Sequence, residues 1–321
     1  MHYYLREHPE IFMPEVKEPH FFGTDLVSPR FVRDKEKYLS LFSGAANEKW
    51  VGESSIYYLY SKTAAAEIHK FSPTAKIIIM LRNPVEMIYS LHSDHLFCGD
   101  EKITDFNKAL IEEENRRRGV KIPANCKIEF ALLYREVGKY DEQVERYFNV
   151  FGRRNVKVIV FDDFKRDTAR VFKETCDFLD VNFDFRPNFR IINANKVVRN
   201  RVLMHFWRDP PKLALWLGNA LPRSVRTRLV DALRRRSFRV APNPPMHQEL
   251  RRRLQQELLP GVERLSQLLG RDLTHWCREG KVSADRASDA VHGAPSARKR
   301  RLEDTYTARL RKGLSPRAKV R

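Results

Sequence analysis

AKIIIMLRNPVEMIYSLHSDH, residues 75–95, holds an apolar run that stops at Arg82 and passes through Asn-Pro straight into helix-like spacing. KIIIML is apolar without alternation, the pattern of a strand buried on both faces in a parallel sheet. Asn83 suits an N-cap and Pro84 a first helical position, so a helix is predicted to open at once. Open parallel sheets bind ligands beyond the carboxyl ends of their strands. Arg82 is predicted to stand there, beside a helix N-terminus whose orphan N–H groups and dipole favour an anion. Ser90, two turns into that helix, carries a hydroxyl able to donate to the same anion. Arginine suits phosphate because its planar fork donates two parallel hydrogen bonds. Taken alone, the pattern more often marks an arginine paired with a surface carboxylate and a serine with no special role.

Outward from this stretch, strands and helices alternate. GKYDEQVERYFNVFG (138–152) is an amphipathic helix with Val144, Phe148 and Phe151 at helical spacing, and it leads into a second apolar strand, NVKVIVFDDF (155–164). ARVFKETCDFLDV (169–181) reads as a helix, and ELRRRLQQELLPGVERLSQLLG (249–270) closes the fold with helices. Before the central strand, HYYLREHPEIFM (2–13) reads as a helix end broken before Pro9, followed by an extended segment, PEVKEPHFFGTD (14–25). A helix over 35–42, a short strand in KWVGESS (49–55) and a helix over 64–70 complete the series. Such alternation predicts an α/β fold, a mostly parallel sheet with helices on both faces.

Charge is the outlier in composition. The chain has 60 Lys and Arg against 41 Asp and Glu, a net +19, which points to an anionic partner. The excess is uneven: from Arg278 onward there are 13 basic and 5 acidic residues in a stretch without periodicity, read as a basic disordered tail over 278–321. The four cysteines are scattered, with no zinc spacing, and a reducing compartment is the plainer reading. No apolar run reaches the roughly 18 residues of a spanning helix.

Two further groups of residues could carry chemistry. In VKEPHFFGTD (16–25), Glu18 and His20 are flanked by Phe21 and Phe22, which would anchor the segment to a core. A carboxylate partly desolvated by aromatics is suited to act as a general base, and Lys17 beside it to neutralise a transferring anion. The bland reading is a charged surface edge beside a satisfied histidine. In NANKVVRNR (193–201), Lys196, Arg199 and Arg201 form either an anion-binding lid or a solvated basic face. The runs Arg234–Arg236 and Arg251–Arg253 read as solvated surface. Neither GxxxxGK[ST] nor GxGxxG occurs anywhere in the chain.

In their order along the chain, these segments resemble the PAPS-dependent sulfotransferases, in particular the branch of the heparan sulfate sulfotransferases and their bacterial relatives. The resemblance runs through YLREHPEIFMPEVKEPHFF (4–22), GESSIYYLY (52–60), the opening stretch, GKYDEQVERYFNVFGRRNVKVIVFDDF (138–164), INANKVVRNR (192–201) and LLPGVERLSQLLGRDLTHW (258–276). It implies a P-loop-NTPase-like parallel sheet flanked by helices, with Arg82 and Ser90 on the 3′-phosphate of the donor PAPS. Glu18 matches the family's base, and His20 a neighbour that holds acceptor and sulfuryl group. Lys196, Arg199 and Arg201 match a loop closing over the nucleotide. PAP would be the product, no metal would be needed, and the acceptor would be a hydroxyl or amine, with carbohydrates among the candidates.

Two departures stand out. The family's first strand and its lysine-bearing phosphosulfate loop have no counterpart here, so a sulfotransferase domain over 1–277 is read as N-terminally truncated, the first strand and loop missing. The glycosaminoglycan enzymes often carry lysine where Ser54 stands. A non-catalytic sulfotransferase-like binding protein is the alternative expectation. A nucleic-acid binder ranks behind both, because no aromatic-interleaved basic platform is present. Bacterial-type relatives suggest the cytoplasm, with no membrane span in the chain.

Overall fold

In the computed structural model, residues 1–189, 196–198, 225, 228–229, 232–233, 236–240 and 244–278 are described. Contacts divide the chain after Arg278, and the segment expected to be a basic tail lies beyond that point, outside the described residues. The elements run α1 (His2–Arg6), β1 (Ile11–Phe12), α2 (Lys35–Ser40), β2 (Trp50–Val51), α3 (Ala64–Phe71), β3 (Ile77–Leu81) and α4 (Pro84–Cys98). There follow α5 (Phe106–Ile111), α6 (Glu113–Arg117), α7 (Tyr134–Val137), α8 (Tyr140–Phe151), β4 (Val156–Val160), α9 (Phe161–Arg166) and α10 (Thr168–Leu179). Last come β5 (Lys196–Val198), β6 (Phe238–Val240) and a long helix, α11 (Gln248–Leu269).

The sheet strands are parallel where the site lies. β3 pairs with β4 in register from Ile77 opposite Val156 to Leu81 opposite Val160, and β1 pairs with β2. β5 and β6 form a separate antiparallel pair. The parallel pairs and the helices that connect and cover them make this the α/β fold expected. Ile79 and Leu81 pack with Val156 and Val160 against Tyr140, Val144 and Tyr147 of α8 and Val262 and Leu265 of α11. Ile78, on the opposite face, joins Tyr4, Ile11 and Phe172. Removing this much apolar surface from water is what fixes β3 in place.

Local signals explain most boundaries. The Asn83 side chain accepts from the N–H groups of Val85 (3.0 Å) and Glu86 (3.3 Å), and Pro84 needs no hydrogen bond there. At the other end of α4, Gly99 takes φ 94°, a left-handed cap that a Cβ would strain.

Four expectations are corrected. β3 is not buried on both faces along its whole length: Met80 is 37% exposed, since no described element covers it at the carboxyl end. The second strand stops at Val160, because FDDF starts α9 instead, with Asp162 accepting from the Trp276 indole (3.0 Å) and Asp163 held by Arg271. The last helices are one continuous α11 despite Pro260, because Leu254, Leu258, Val262 and Leu265 keep one stripe on the core through the proline. Arg251 is not a solvated charge but pairs with Glu86 of α4 at 2.5 Å.

α4 also buries His95 completely, and neither ring nitrogen bonds a described residue. Burial first, then the charges of His92, Arg30 and Arg116, pulls its pKa down from 6.5 to about 3. The unfolded chain therefore binds a proton here that the folded chain refuses. This contribution to stability is whole above about pH 6.5 and falls by about 1.4 kcal/mol per pH unit as acid is added. His95→Phe is expected to flatten that fall, read as urea midpoints at pH 7.5 and pH 5. Equal acid sensitivity in both proteins would refute it.

Candidate functional site

Leu81, with no exposed surface, is the last residue of β3, and Arg82 follows, half-buried. Asn83 fixes the turn by capping α4 and by donating its amide to the Trp276 carbonyl at 2.9 Å. Arg82 makes no ion pair or side-chain hydrogen bond with any described residue, so the bland reading, a pairing with a surface carboxylate, does not hold among the described residues. Its charge reaches the Tyr140 phenol, which burial pushes above the ordinary range and Arg82 draws back. Ser90, half-buried on α4, likewise has no side-chain hydrogen bond to a described residue. The helix N-terminus offers less than expected, because Asn83 already occupies the Val85 and Glu86 amides. The candidate anion-binding groups are therefore a guanidinium and a hydroxyl, both uncommitted among the described residues.

Glu18 and His20 lie in the loop between β1 and α2. The segment is not simply extended, as expected: Glu18 has φ 58° and His20 φ 50°, flanking Pro19. Left-handed backbone at non-glycine residues is costly and persists only where surroundings hold it. Here the Glu18 N–H donates to the Ser54 carbonyl (2.9 Å), and the His20 N–H to Ser55 Oγ (3.0 Å). His20 is buried, its ring 4.5 Å from that of Phe31 and 5.2 Å from that of Tyr57. The Glu18 carboxylate is mostly covered, 3.4 Å from Lys17 Nζ and 3.9 Å from His20 Nε2. The pair predicted to carry proton transfer is thus one constellation with Lys17, held on the segment that follows β2.

α4 joins the two halves. Ser90 and Asp94 are four residues apart and share a helix face. Asp94 is exposed on α4, so the loss of solvation it suffers is partial; that loss, then the charges of Glu18 and Asp100, raises its carboxyl above the ordinary value of 3.8. Glu18 thus acts on a residue one helical turn from Ser90. Asp100, fully buried, takes a fork from Arg30 at 2.9 and 3.4 Å. β5, the short strand that begins at Lys196, runs against α4. The Lys196 side chain, and Arg199 and Arg201 altogether, lie outside the described residues.

Sequence reading missed Asp94 and Glu53. Asp94 was discoverable from its spacing of four from Ser90. Glu53 had a signal too: an acid between the apolar WV of β2 and the aromatic IYYLY. Its carboxylate accepts from Tyr58 OH (2.5 Å), Ser55 Oγ (2.7 Å) and Tyr38 OH (3.5 Å). Burial pushes its pKa up against the pull of these hydroxyls.

Two cavities, of about 170 and 270 Å³, open elsewhere, against Asp141 and Gly261 and against Val158 and Arg271. None of the site residues lines them. No group of three or more His, Cys, Asp or Glu among the described residues is arranged to hold a metal ion. No described helix is long and apolar enough to cross a membrane.

Comparison with known proteins bears on the same residues. A family profile described as sulfotransferase domain matches residues 61–206, a span that includes Arg82, Ser90 and Asp94. Carbohydrate sulfotransferase 15 of Mus musculus is 24% identical over 235 residues, covering 55% of this chain and 40% of that protein. The chain thus matches well under two thirds of that relative's length. The membrane-associated sulfotransferase kil1 of Dictyostelium discoideum is 31% identical over 289 residues, 66% of this chain and 60% of that protein. The crystal structure of a sulfotransferase from Alicyclobacillus acidocaldarius superposes with a TM-score of 0.62 at 31% identity, covering 86% of this chain and 92% of that one.

Proposed function

This chain belongs to the sulfotransferase family, and from that premise we propose that it moves a sulfuryl group from PAPS to a hydroxyl or amine of an acceptor, a carbohydrate being the class favoured. One observation carries the reading. An arginine without a partner among the described residues stands at the strand-to-helix turn, an equally unpartnered serine lies two turns into the helix, and one helix face joins that serine to an aspartate within the field of Glu18. The carbohydrate class rests on the similarity to carbohydrate sulfotransferase 15 alone.

In this reading Arg82 and Ser90 hold the 3′-phosphate of PAPS, with the strand of Lys196 and the basic residues Arg199 and Arg201 closing on the nucleotide. The acceptor oxygen or nitrogen attacks sulfur in line. A new bond to sulfur forms as the bond from sulfur to the 5′-phosphate oxygen breaks, and PAP leaves with that electron pair. Glu18 takes the acceptor proton. Lys17 and His20 border Glu18 and offset charge on the transferring group. The protein supplies position and electrostatics.

The test is to incubate the chain with PAPS and either an unsulfated chondroitin or a glucosamine oligosaccharide, reading PAP release and sulfated product together. Acceptor-dependent release of PAP is expected. No release with either acceptor, together with no PAP binding, would overturn the proposal in favour of a non-catalytic relative.

A further inference from the structure

Three alternate amides of the segment bearing Glu18 are anchored on the stretch after β2, much as in a sheet ladder. The N–H of Glu18 reaches a true backbone acceptor, the Ser54 carbonyl. Those of His20 and Phe22 do not. His20 N–H donates to Ser55 Oγ at 3.0 Å, and Phe22 N–H to Tyr58 OH at 3.2 Å. Two hydroxyls therefore stand where strand carbonyls would be.

A hydroxyl proton rotates to suit its surroundings, and a fixed acceptor for that proton fixes the direction in which the oxygen's lone pairs meet an amide. Both protons go to one group. Ser55 Oγ donates to Glu53 Oε2 at 2.7 Å, and Tyr58 OH to Glu53 Oε1 at 2.5 Å. Each carboxylate oxygen thus sets the polarity of one relay, and Tyr38 OH adds a weaker third donor at 3.5 Å. The ring of Tyr38 in turn stacks on Phe21 at 4.1 Å, so the same cluster grips the segment through its side chains. An acceptor-only group at Glu53 takes both hydroxyl protons. An amide would instead present a donor to one hydroxyl and leave that proton without its acceptor, so the direction of the lone pairs would no longer be fixed.

We infer that Glu53 is a positioning residue: through Ser55 and Tyr58 it holds the backbone of His20 and Phe22, and so keeps Glu18 and His20 in their left-handed conformations facing the reacting groups. The role rests on the proposed reaction at Glu18, but the hydrogen bonds can be tested apart from it. A strained backbone relaxes when its over-determining contacts are cut, and a small misplacement of a catalytic group costs turnover, up to about 10²-fold.

The experiment is site-resolved amide exchange on the whole chain and on Glu53→Gln, with turnover of PAPS and calorimetric affinity for PAP measured on the same samples. At least tenfold faster exchange is expected at His20 and Phe22, with Ile79 and Val158 unchanged. The kcat should fall by roughly 10- to 100-fold while PAP affinity stays within about twofold. Should Glu53→Gln fail to fold, Ser55→Ala and Tyr58→Phe divide the effect: the first is expected to release His20 alone, the second Phe22 alone. Unchanged exchange at both amides would overturn the inference. So would unchanged kcat in Glu53→Gln while Glu18→Gln is inactive. If Glu18→Gln itself keeps full turnover, the base assignment falls, and exchange alone then decides the role of Glu53.

Discussion

Arg82→Ala is expected to weaken PAP binding by roughly 10²- to 10³-fold. The estimate follows from two charge-assisted hydrogen bonds at about 1.5–3 kcal/mol each, taken toward the lower end because Arg82 is only half-buried and water will replace part of the loss. Calorimetric titration of PAP into both proteins reads it directly. Arg82→Lys should recover little, because an ammonium is a point charge without the two-pronged fork. The substitution should leave stability within about 0.5 kcal/mol, since Arg82 pairs with no described side chain. That separation matters. A loss of binding in a protein that unfolds with unchanged midpoint assigns the effect to the anion site, whereas equal PAP affinity in the two proteins would remove Arg82 from it.

Glu18→Gln carries the second large effect: turnover lower by about 10²- to 10⁴-fold, the usual contribution of a positioned general base, with PAP affinity unaltered. Gln is nearly isosteric and can keep the backbone bond from residue 18 to the Ser54 carbonyl, so the loop geometry should survive. What disappears is the ability to take a proton. The rise of kcat/KM with pH that a base imposes should then flatten in the variant. Asp94 lies within the field of Glu18, so removing that charge is expected to bring its raised carboxyl back toward the ordinary carboxylate range. A variant that keeps wild-type turnover would show that the acceptor loses its proton elsewhere.

These two residues differ in how far their roles could be read beforehand. Arg82 and Ser90 sit on a strand–turn–helix whose signals all lie within a few residues: an apolar run, an N-cap that bonds two and three residues on, and a proline at the first helical position. Their placement followed from interactions as local as the signals, and it held. The alternation of strands and helices was equally plain, because apolar periodicity reports which side of an element meets the core. Where neighbours remote in sequence compete, the reading slipped. Met80 is exposed because no described element covers it, and Arg251 leaves solvent for Glu86, 165 residues away.

Glu18 and His20 show the limit most clearly. Their residue types and aromatic flanks marked them as a candidate acid–base pair, but nothing within reach of Pro19 in the chain announces a left-handed backbone at both. That conformation depends on Ser55, 35 residues beyond His20, and Tyr58, 36 beyond Phe22, which are brought opposite by the pairing of Ile11 with Trp50. The orientation of those hydroxyls depends in turn on a buried carboxylate, whose meaning at position 53 exists only once three donors surround it. Fold class and the strand-to-helix turn at Arg82 are set by bonds a few residues long, so the order of residues states them. The geometry around Glu18 is set by strand register and long-range hydrogen bonds, and these come into being only when the chain closes on itself.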